Sequence, residues 1–386
     1  MDGTPLAAYE GSATVQPAAL LEDVAALVAG PLEEAAARIE REGRVPREIW
    51  DLLNRRGYLR LAAPAEYGGA GLPFPAYVEF LEAFSQAHGS LRMIVHVMNG
   101  IWRPMARRAS AEQVERFVRP QVEGRHTVAF TLTEPGNGSG ADIQTTARRI
   151  GDRYLLNGEK HLITFGLVCD HYLLFCRLEG TSGHEGTLAL MAPRHAPGLR
   201  AVSMGDSLGL RGTDHAHLYM KDCEVPVANR LGAEGQGLDV ALRGFLDASR
   251  ICVAASCVGL AQRALDLAVA RAKARVTFGR PIAARQAIQM RLAEMETDVE
   301  AARQLVRWAA GRWEADPPAA AAAAKAKLFA LEMLQRVTDG ALQVWGGAGY
   351  FEDSPIARVY RDARAQRFEE GTAEIQKATI AKELLA

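Results

Sequence analysis

The sequence predicts an α+β chain in three successive parts, helical over 1–122, strand-rich over 123–235 and helical again over 236–386. Three observations carry that prediction. Apolar residues recur at helical spacing in the first and last parts, and short apolar stretches bounded by turn residues fill the middle. Alanine is abundant while aromatic residues make up only 7% of the chain, a composition suited to close helix-on-helix packing on both sides of a small, antiparallel β domain.

In the first part, Leu20, Val24, Leu27 and Val28 form one helical stripe and Ile49, Leu52 and Leu53 a second, with Pro46 near its start and Gly57 closing it. A turn-rich interruption over 64–75 leads into a helix over 77–88. The middle part reads as strands at 127–132, 154–156, 172–176, 187–191 and 218–220, with Asn157-Gly158 as a hairpin signal. In the last part the helical period returns over 247–274 and 287–312, and Asp316-Pro317-Pro318 precedes an alanine-rich helix over 319–340.

Composition excludes several classes of protein. With 386 residues, 48% apolar and 24% charged, the chain is long enough for a large core. Cys169, Cys176, Cys223, Cys252 and Cys257 stand singly, which argues against a disulfide scaffold or a zinc site and for reduced thiols in the cytoplasm. The balance of 45 Lys+Arg against 46 Asp+Glu argues against a general nucleic-acid binder. No basic segment precedes an apolar run at the N-terminus, so no signal peptide is expected. The most apolar run, 251–260, is about half of what a bilayer span requires, so a core helix rather than membrane insertion is expected.

Five motifs could carry chemistry. The segment 131–140, TLTEPGNGSG, offers hydroxyls from Thr133 and Ser139 and a glycine-freed backbone, but no βαβ pattern follows it. The segment 157–164, NGEKHLIT, ends on the hydroxyl of Thr164. The segment 275–282, RVTFGRPI, followed by Gln286, sets a guanidinium, an aromatic face and an amide where two long helices meet, a set able to hold a pyrophosphate and a purine. The segment 343–350, QVWGGAGY, ends the alanine-rich helix with paired glycines. In 367–376, RFEEGTAEIQ, Gly371 breaks a helix and leaves Glu370 on a loop before Thr372, an N-cap candidate. A carboxylate held there could serve as a general base if apolar walls raised its pKa. Taken singly, each motif is equally a turn, a hairpin, a helix cap or a solvated charge.

Their order along one α-β-α chain resembles the flavin-dependent acyl-CoA dehydrogenase family over essentially the whole length. The resemblance rests on PAEYGG at 64–69, LTEPG at 132–136, NGEK at 157–160, GLRG at 209–212, CEVP at 223–226 with Asn229, and Arg275 with TFG at 277–279. It continues with GGAGY at 346–350, YRDAR at 360–364 and EGT at 370–372. It implies an N-terminal helical domain, a central β domain and a C-terminal four-helix bundle, with FAD between the last two and a homotetramer built from dimers that share each flavin site. It further implies that Phe130, Leu132, Thr133, Gly138, Ser139, Ile163 and Thr164 line the flavin of their own subunit. Arg275, Thr277, Phe278, Gln286, Gln343 and Gly347 would reach the adenosine-diphosphate half of a neighbour's FAD, and Thr372 and Glu374 would touch the cofactor beside the catalytic loop. Ser139, Asp247, Arg250 and Gly371 would contact the substrate.

The reaction implied is α,β-dehydrogenation of an acyl thioester: Glu370 removes the α-proton while hydride leaves Cβ for flavin N5, and hydrogen bonds to the thioester carbonyl stabilise the developing charge. Some members carry the base at the position of Ser249, which leaves Glu370 as the candidate here. Four residues depart from the family pattern. Leu162 stands where Trp is usual, Phe165 where Asn is common, Gly140 where the motif has Asp, and Glu369 where Tyr is common. These changes surround flavin and acyl chain, and suggest either an unusual or carrier-protein-bound acyl group or neutral drift. The electron acceptor would be an electron-transfer flavoprotein or oxygen. Two other readings stay open from sequence: a flavin oxidase or monooxygenase on the same fold, and a non-catalytic thioester-binding protein.

Overall fold

The computed structural model describes residue 6 and residues 16–137 and 142–386. Its first part consists of α1 (Pro17–Ala29), α2 (Pro31–Glu42), α3 (Arg47–Arg55), α4 (Phe74–Phe84), α5 (Gly89–Gly100), α6 (Trp102–Ala106), α7 (Ala111–Gln113) and α8 (Arg119–Val122). Proline in the first turn starts α1 and α2, and Gly43 ends α2 at φ 62°, as proline-in, glycine-out punctuation requires. Leu20, Val24, Leu27 and Val28 all turn inward from α1.

A seven-stranded sheet follows: β1 (Val128–Thr131), β2 (Thr146–Ile150), β3 (Arg153–Thr164), β4 (His171–Leu178), β5 (Thr187–Pro193), β6 (Leu199–Ser203) and β7 (His215–Pro226). The order is β1-β4-β2-β3-β7-β6, with β5 also pairing with β4. Pairing is antiparallel across β2-β3-β7-β6 and between β4 and β5, whereas β4 runs parallel to both β1 and β2. The hairpin expected at Asn157-Gly158 is not there. Strands β2 and β3 turn at Gly151-Asp152, and Asn157 and Gly158 lie within β3 at a register shift against β7. The reason is local bonding: the Asn157 side chain donates to Asp222 Oδ1 (3.1 Å) and accepts from Asp222 N–H (2.9 Å), which satisfies a bulge instead of a turn.

The last part holds α9 (Gly237–Ala241), a π-helical turn (Leu242–Leu246), α10 (Asp247–Ala274), a short hairpin of β8 (Val276–Thr277) and β9 (Arg280–Pro281), α11 (Gln286–Ala315), α12 (Ala320–Trp345), α13 (Pro355–Ala365) and α14 (Ala373–Leu384). Helix α10 is long and apolar enough to cross a bilayer, but 78% of its most apolar window is buried inside the protein, as a core helix requires.

The two helical parts share one apolar core, in which Phe80 and Phe84 of α4 join Val258 of α10, Val306 of α11 and Leu334 of α12. The sheet has a core of its own around Tyr154, Leu174, Leu190 and Leu218, and a second against α6 to α9, including Ile101, Phe117, Leu173 and Leu238. Buried polar bonds fasten the three parts together. Asp362 of α13 accepts from Gly89 N–H at the start of α5 (3.0 Å) and from Leu210 N–H of the β part (2.7 Å). Glu40 of α2 meets His88 (2.9 Å), Arg211 (3.6 Å) and Arg361.

Candidate active site

Glu370 lies in the connection between α13 and α14. It has φ 52°, an uncommon conformation for a side chain with a Cβ, and Gly371 follows at φ 93°. This backbone is held by donors from three helices. Lys327 of α12, with no exposed surface, bonds the carbonyls of both Glu369 and Gly371. Arg250 of α10 donates to Glu370 O (3.3 Å), and Gln376 of α14 donates to Glu370 O (3.3 Å) and Gly371 O (3.1 Å). Three consecutive carbonyls are thus drawn to one side. Because a trans amide points its N–H opposite to its C=O, the N–H groups of residues 370–372 are aimed away from this clamp.

The Glu370 side chain is half-buried, which leaves it reachable. Burial pushes its pKa up to about 7, against the pull of Lys327, the Ser249 hydroxyl and Arg250 and with the push of Glu369. Glu369 has a different fate. Burial alone would raise it, but Arg92 of α5 grips both of its oxygens (2.7 and 2.8 Å) and holds it below the usual carboxylate range. Two adjacent carboxyls therefore differ, one fixed as an anion and one poised near neutrality. Burial also lowers Lys327 to about 8, although the neighbouring carboxylates oppose this. Beside Glu370, Ser249 bonds His96 Nε2 (3.0 Å), and burial pushes that imidazole down to about 4.

At the start of α10, Asp247 and Arg250 pair at 3.4 Å next to the loop, and burial raises Asp247 despite Arg250. The sheet supplies a facing wall. Lys160 and Glu134 form a buried pair (2.8 Å); Lys160 also bonds Leu132 O (2.9 Å), and Glu134 accepts the N–H groups of Gln144 and Thr145 (2.7 and 3.0 Å). That staple, with His161 N–H to Thr133 O (3.0 Å), sets Leu132 and Thr133 beside the end of β3, where Ile163 and Thr164 lie. Thr164 is paired in register with His215, whose imidazole feels the charge of Glu369. Phe130 stacks on Phe245, at 4.6 Å, just before Asp247. The end of β3 at Thr164 and its partner His215 therefore lie within electrostatic reach of the Glu370 loop.

The departures resolve differently. Phe165, at φ 60°, turns into the core against Trp50 (5.8 Å), whereas Leu162, at φ 56°, stands exposed. Gly138, Ser139 and Gly140 lie outside the described residues.

The remaining expected residues are exposed or half-buried. Phe278 (φ 50°) and Gly279 (φ 76°) make the turn between β8 and β9, and this turn holds the Phe278 ring 96% exposed. Thr277 accepts from Arg285 through its hydroxyl (3.0 Å), and Arg275 and Gln286 are exposed beside it. Gln343 and Gly347 are exposed at the end of α12, where nothing approaches the position of a Gly347 Cβ within 4 Å. Thr372 precedes α14 as expected, but its hydroxyl makes no cap bond to the helix backbone; it interacts with Glu374, which is exposed.

Sequence reasoning missed Lys327, Arg92, His96 and Arg103. The available signal was a set of cations and a histidine placed in otherwise apolar helices, since such residues are seldom buried without a task.

Three family models match the chain in succession: the N-terminal domain (residues 15–125), middle domain (129–223) and C-terminal domain (235–385) of acyl-CoA dehydrogenase. Among curated relatives, the 3-(aryl)acrylate reductase of Clostridium sporogenes is 36% identical over 356 residues, 92% of this chain and 94% of that protein. The human mitochondrial short-chain specific acyl-CoA dehydrogenase is 38% identical over 352 residues, 91% of this chain and 85% of that protein. Among solved structures, the butyryl-CoA dehydrogenase of Megasphaera elsdenii superposes with a TM-score of 0.90 at 32% identity, covering 98% of this chain and all of that one (100%).

Proposed function

This chain belongs to the acyl-CoA dehydrogenase family and is an FAD-dependent oxidoreductase acting on CH–CH bonds, and we propose that it dehydrogenates an acyl thioester at the α,β-position with Glu370 as the base. The observation that carries this reading is Glu370 itself. It is reachable, held on a clamped loop, and raised to about 7, the range in which a carboxyl can take up a proton under physiological conditions.

The residues present fit FAD. The hydroxyls of Thr133 and Thr164, with Phe130, Leu132 and Ile163, suit the polar edge and flat face of a flavin ring. Arg275, with the amides of Gln286 and Gln343 and the exposed Phe278 ring, suits an adenosine diphosphate, with Gly347 leaving room for close approach. Thr372 and Glu374 would adjoin the same cofactor. When bound, FAD supplies the hydride acceptor.

The protein's own part is to bind, aim and deprotonate. Arg250 and Asp247 hold the thioester's carrier arm, and the loop N–H groups at Glu370 and Gly371 donate to the thioester oxygen as it gains charge. Glu370 then removes the α-proton, and Glu369, held by Arg92, stays out of the reaction. The carrier is CoA or an acyl carrier protein, and the electron acceptor is an electron-transfer flavoprotein or oxygen. The assembly is a homotetramer; the exposed rings of Phe278, Tyr350 and Phe351 support this, since these apolar groups gain most from being covered.

The test is anaerobic mixing of the FAD-loaded enzyme with short and medium acyl-CoAs and with acyl carrier proteins, followed by flavin absorbance. Thioester-driven bleaching that Glu370→Gln abolishes at normal FAD content is the expected result. Bleaching at the wild-type rate in that variant would remove Glu370 from the role.

A further inference from the structure

One half-buried cation has no part in the mechanism above. Arg92, His96 and Arg103 lie within about 40° of one another around the axis of α5 and α6, which Ile101 joins in helical conformation. The first two of this face are engaged at the active site, Arg92 with Glu369 and His96 with Ser249. Arg103 continues the face two turns beyond His96. Across from it on α10, one turn after Ser249, Cys252 is buried and feels the charges of both Arg103 and Glu370. Arg103 and Glu370 are therefore both within electrostatic reach of Cys252 on α10.

Arg103 differs from Arg92 in what meets it. Arg92 has a bidentate carboxylate. Arg103 has no carboxylate within ion-pair distance among the described residues, and its one protein hydrogen bond is a long one, Nη1 to Asn99 O at 3.3 Å. Three aromatic rings surround the guanidinium: Trp102 at 4.9 Å, Phe74 at 5.4 Å and Trp313 at 5.5 Å from Cζ. Such faces stabilise the charge but accept few of its N–H groups. Burial depresses its pKa, and Glu314, whose field reaches it, is itself exposed. Two further groups nearby are unmatched. Tyr77 Oη and Trp102 Nε1 are buried with no hydrogen-bond partner. The region thus collects a cation, a hydroxyl and an indole N–H, with no carboxylate at ion-pair distance among the described residues.

Resting on the thioester reading, we propose that Arg103, with Tyr77 and Trp102, receives a carboxylate at the far end of the acyl chain, so that the substrate class is an ω-carboxyacyl thioester. The anion supplies such a carboxylate, and the aromatic wall keeps the pair dry enough for a charged hydrogen bond to discriminate strongly against a methyl end.

The experiment compares ω-carboxyacyl-CoAs of four to eight carbons with straight-chain acyl-CoAs of equal carbon count. Anaerobic flavin reduction is followed in the wild type, Arg103→Met and Arg103→Lys, each checked for FAD content and melting temperature. Binding of the same pairs to Glu370→Gln holoenzyme is measured by calorimetry. The expected result is at least one ω-carboxyacyl member favoured about tenfold or more over its counterpart in kcat/KM and in affinity. Arg103→Met should abolish that preference mainly through KM, and Arg103→Lys should keep part of it. A wild type that favours the alkyl series at every length overturns the proposal, as does a preference that survives in Arg103→Met. If neither series reduces the flavin, the thioester reading itself fails, an outcome distinct from bleaching by alkyl thioesters alone.

Discussion

The Glu370 loop and the β8–β9 hairpin are both short turns bearing candidate site residues, yet they are finished to different degrees. In the loop, the carbonyls of Glu369, Glu370 and Gly371 have side-chain donors from α10, α12 and α14, and the strained φ of Glu370 is held from several sides. In the hairpin, a similarly unusual φ at Phe278 puts an aromatic ring into solvent, with Arg285 over it at 5.4 Å. The difference teaches where the protein needs help. On the function proposed above, one chain carries all the groups that position Glu370, whereas the exposed hairpin and the end of α12 are where a second copy would add to the cofactor site.

Variants that separate rate from cofactor retention test this contrast. Glu370→Gln should have the largest effect, a fall of about 10³-fold in the rate of anaerobic flavin reduction with FAD retained. The wild-type rate should rise with pH through about 7, because only the carboxylate form accepts the proton; a flat profile between pH 5.5 and 8 would count against the raised pKa. Arg92→Met should lower stability by about 3 kcal/mol in denaturant titration, since it strands a buried Glu369, and Arg92→Met/Glu369→Leu should recover most of that loss. Next, Lys327→Met should slow reduction by about tenfold to a hundredfold, and removal of the cation should move the acidic midpoint upward. Arg275→Ala should have the smallest effect, about tenfold weaker FAD retention with the rate at saturating FAD changed less than about twofold. If Arg275→Ala instead lowered the rate as the loop variants do, the contrast between a finished and an unfinished region would not hold.

How much of this was legible in the sequence depended on whether the determining contacts were local. Pro46 and Gly57 marked the ends of α3, and the α10 boundaries, Asp247–Ala274, followed from the apolar period. The Glu370 loop was legible because Gly371 breaks a helix beside an acid. Strands β2 and β6 were not, since most of their residues face solvent and carry little apolar pattern. Asn157-Gly158 misled for a related reason: its partner, Asp222, is 65 residues away and turns a hairpin signal into a bulge. Lys327 did not stand out in the alanine-rich helix, because the carbonyls it serves come from residues 42 and 44 positions later. Arg103 gave only the general signal of a cation in an apolar helix, since the lack of a carboxylate beside it among the described residues is a property of the fold.

The two bonds from the end of α13 and the following loop to the start of α5 also set a condition on how the protein is made. Gly89 waits for Asp362, and Arg92 waits for Glu369, which lies 277 residues further along the chain. At a translation rate of roughly 5 to 20 residues per second, the α5 arginine spends about 14 to 55 s in the nascent chain before its carboxylate has been polymerised. The helical core that the two helical parts share can close only once residues 362 and 369 have been made, so a ribosome-bound chain stopped before residue 362 should be open to proteases at α4 and α5 while the sheet is already protected.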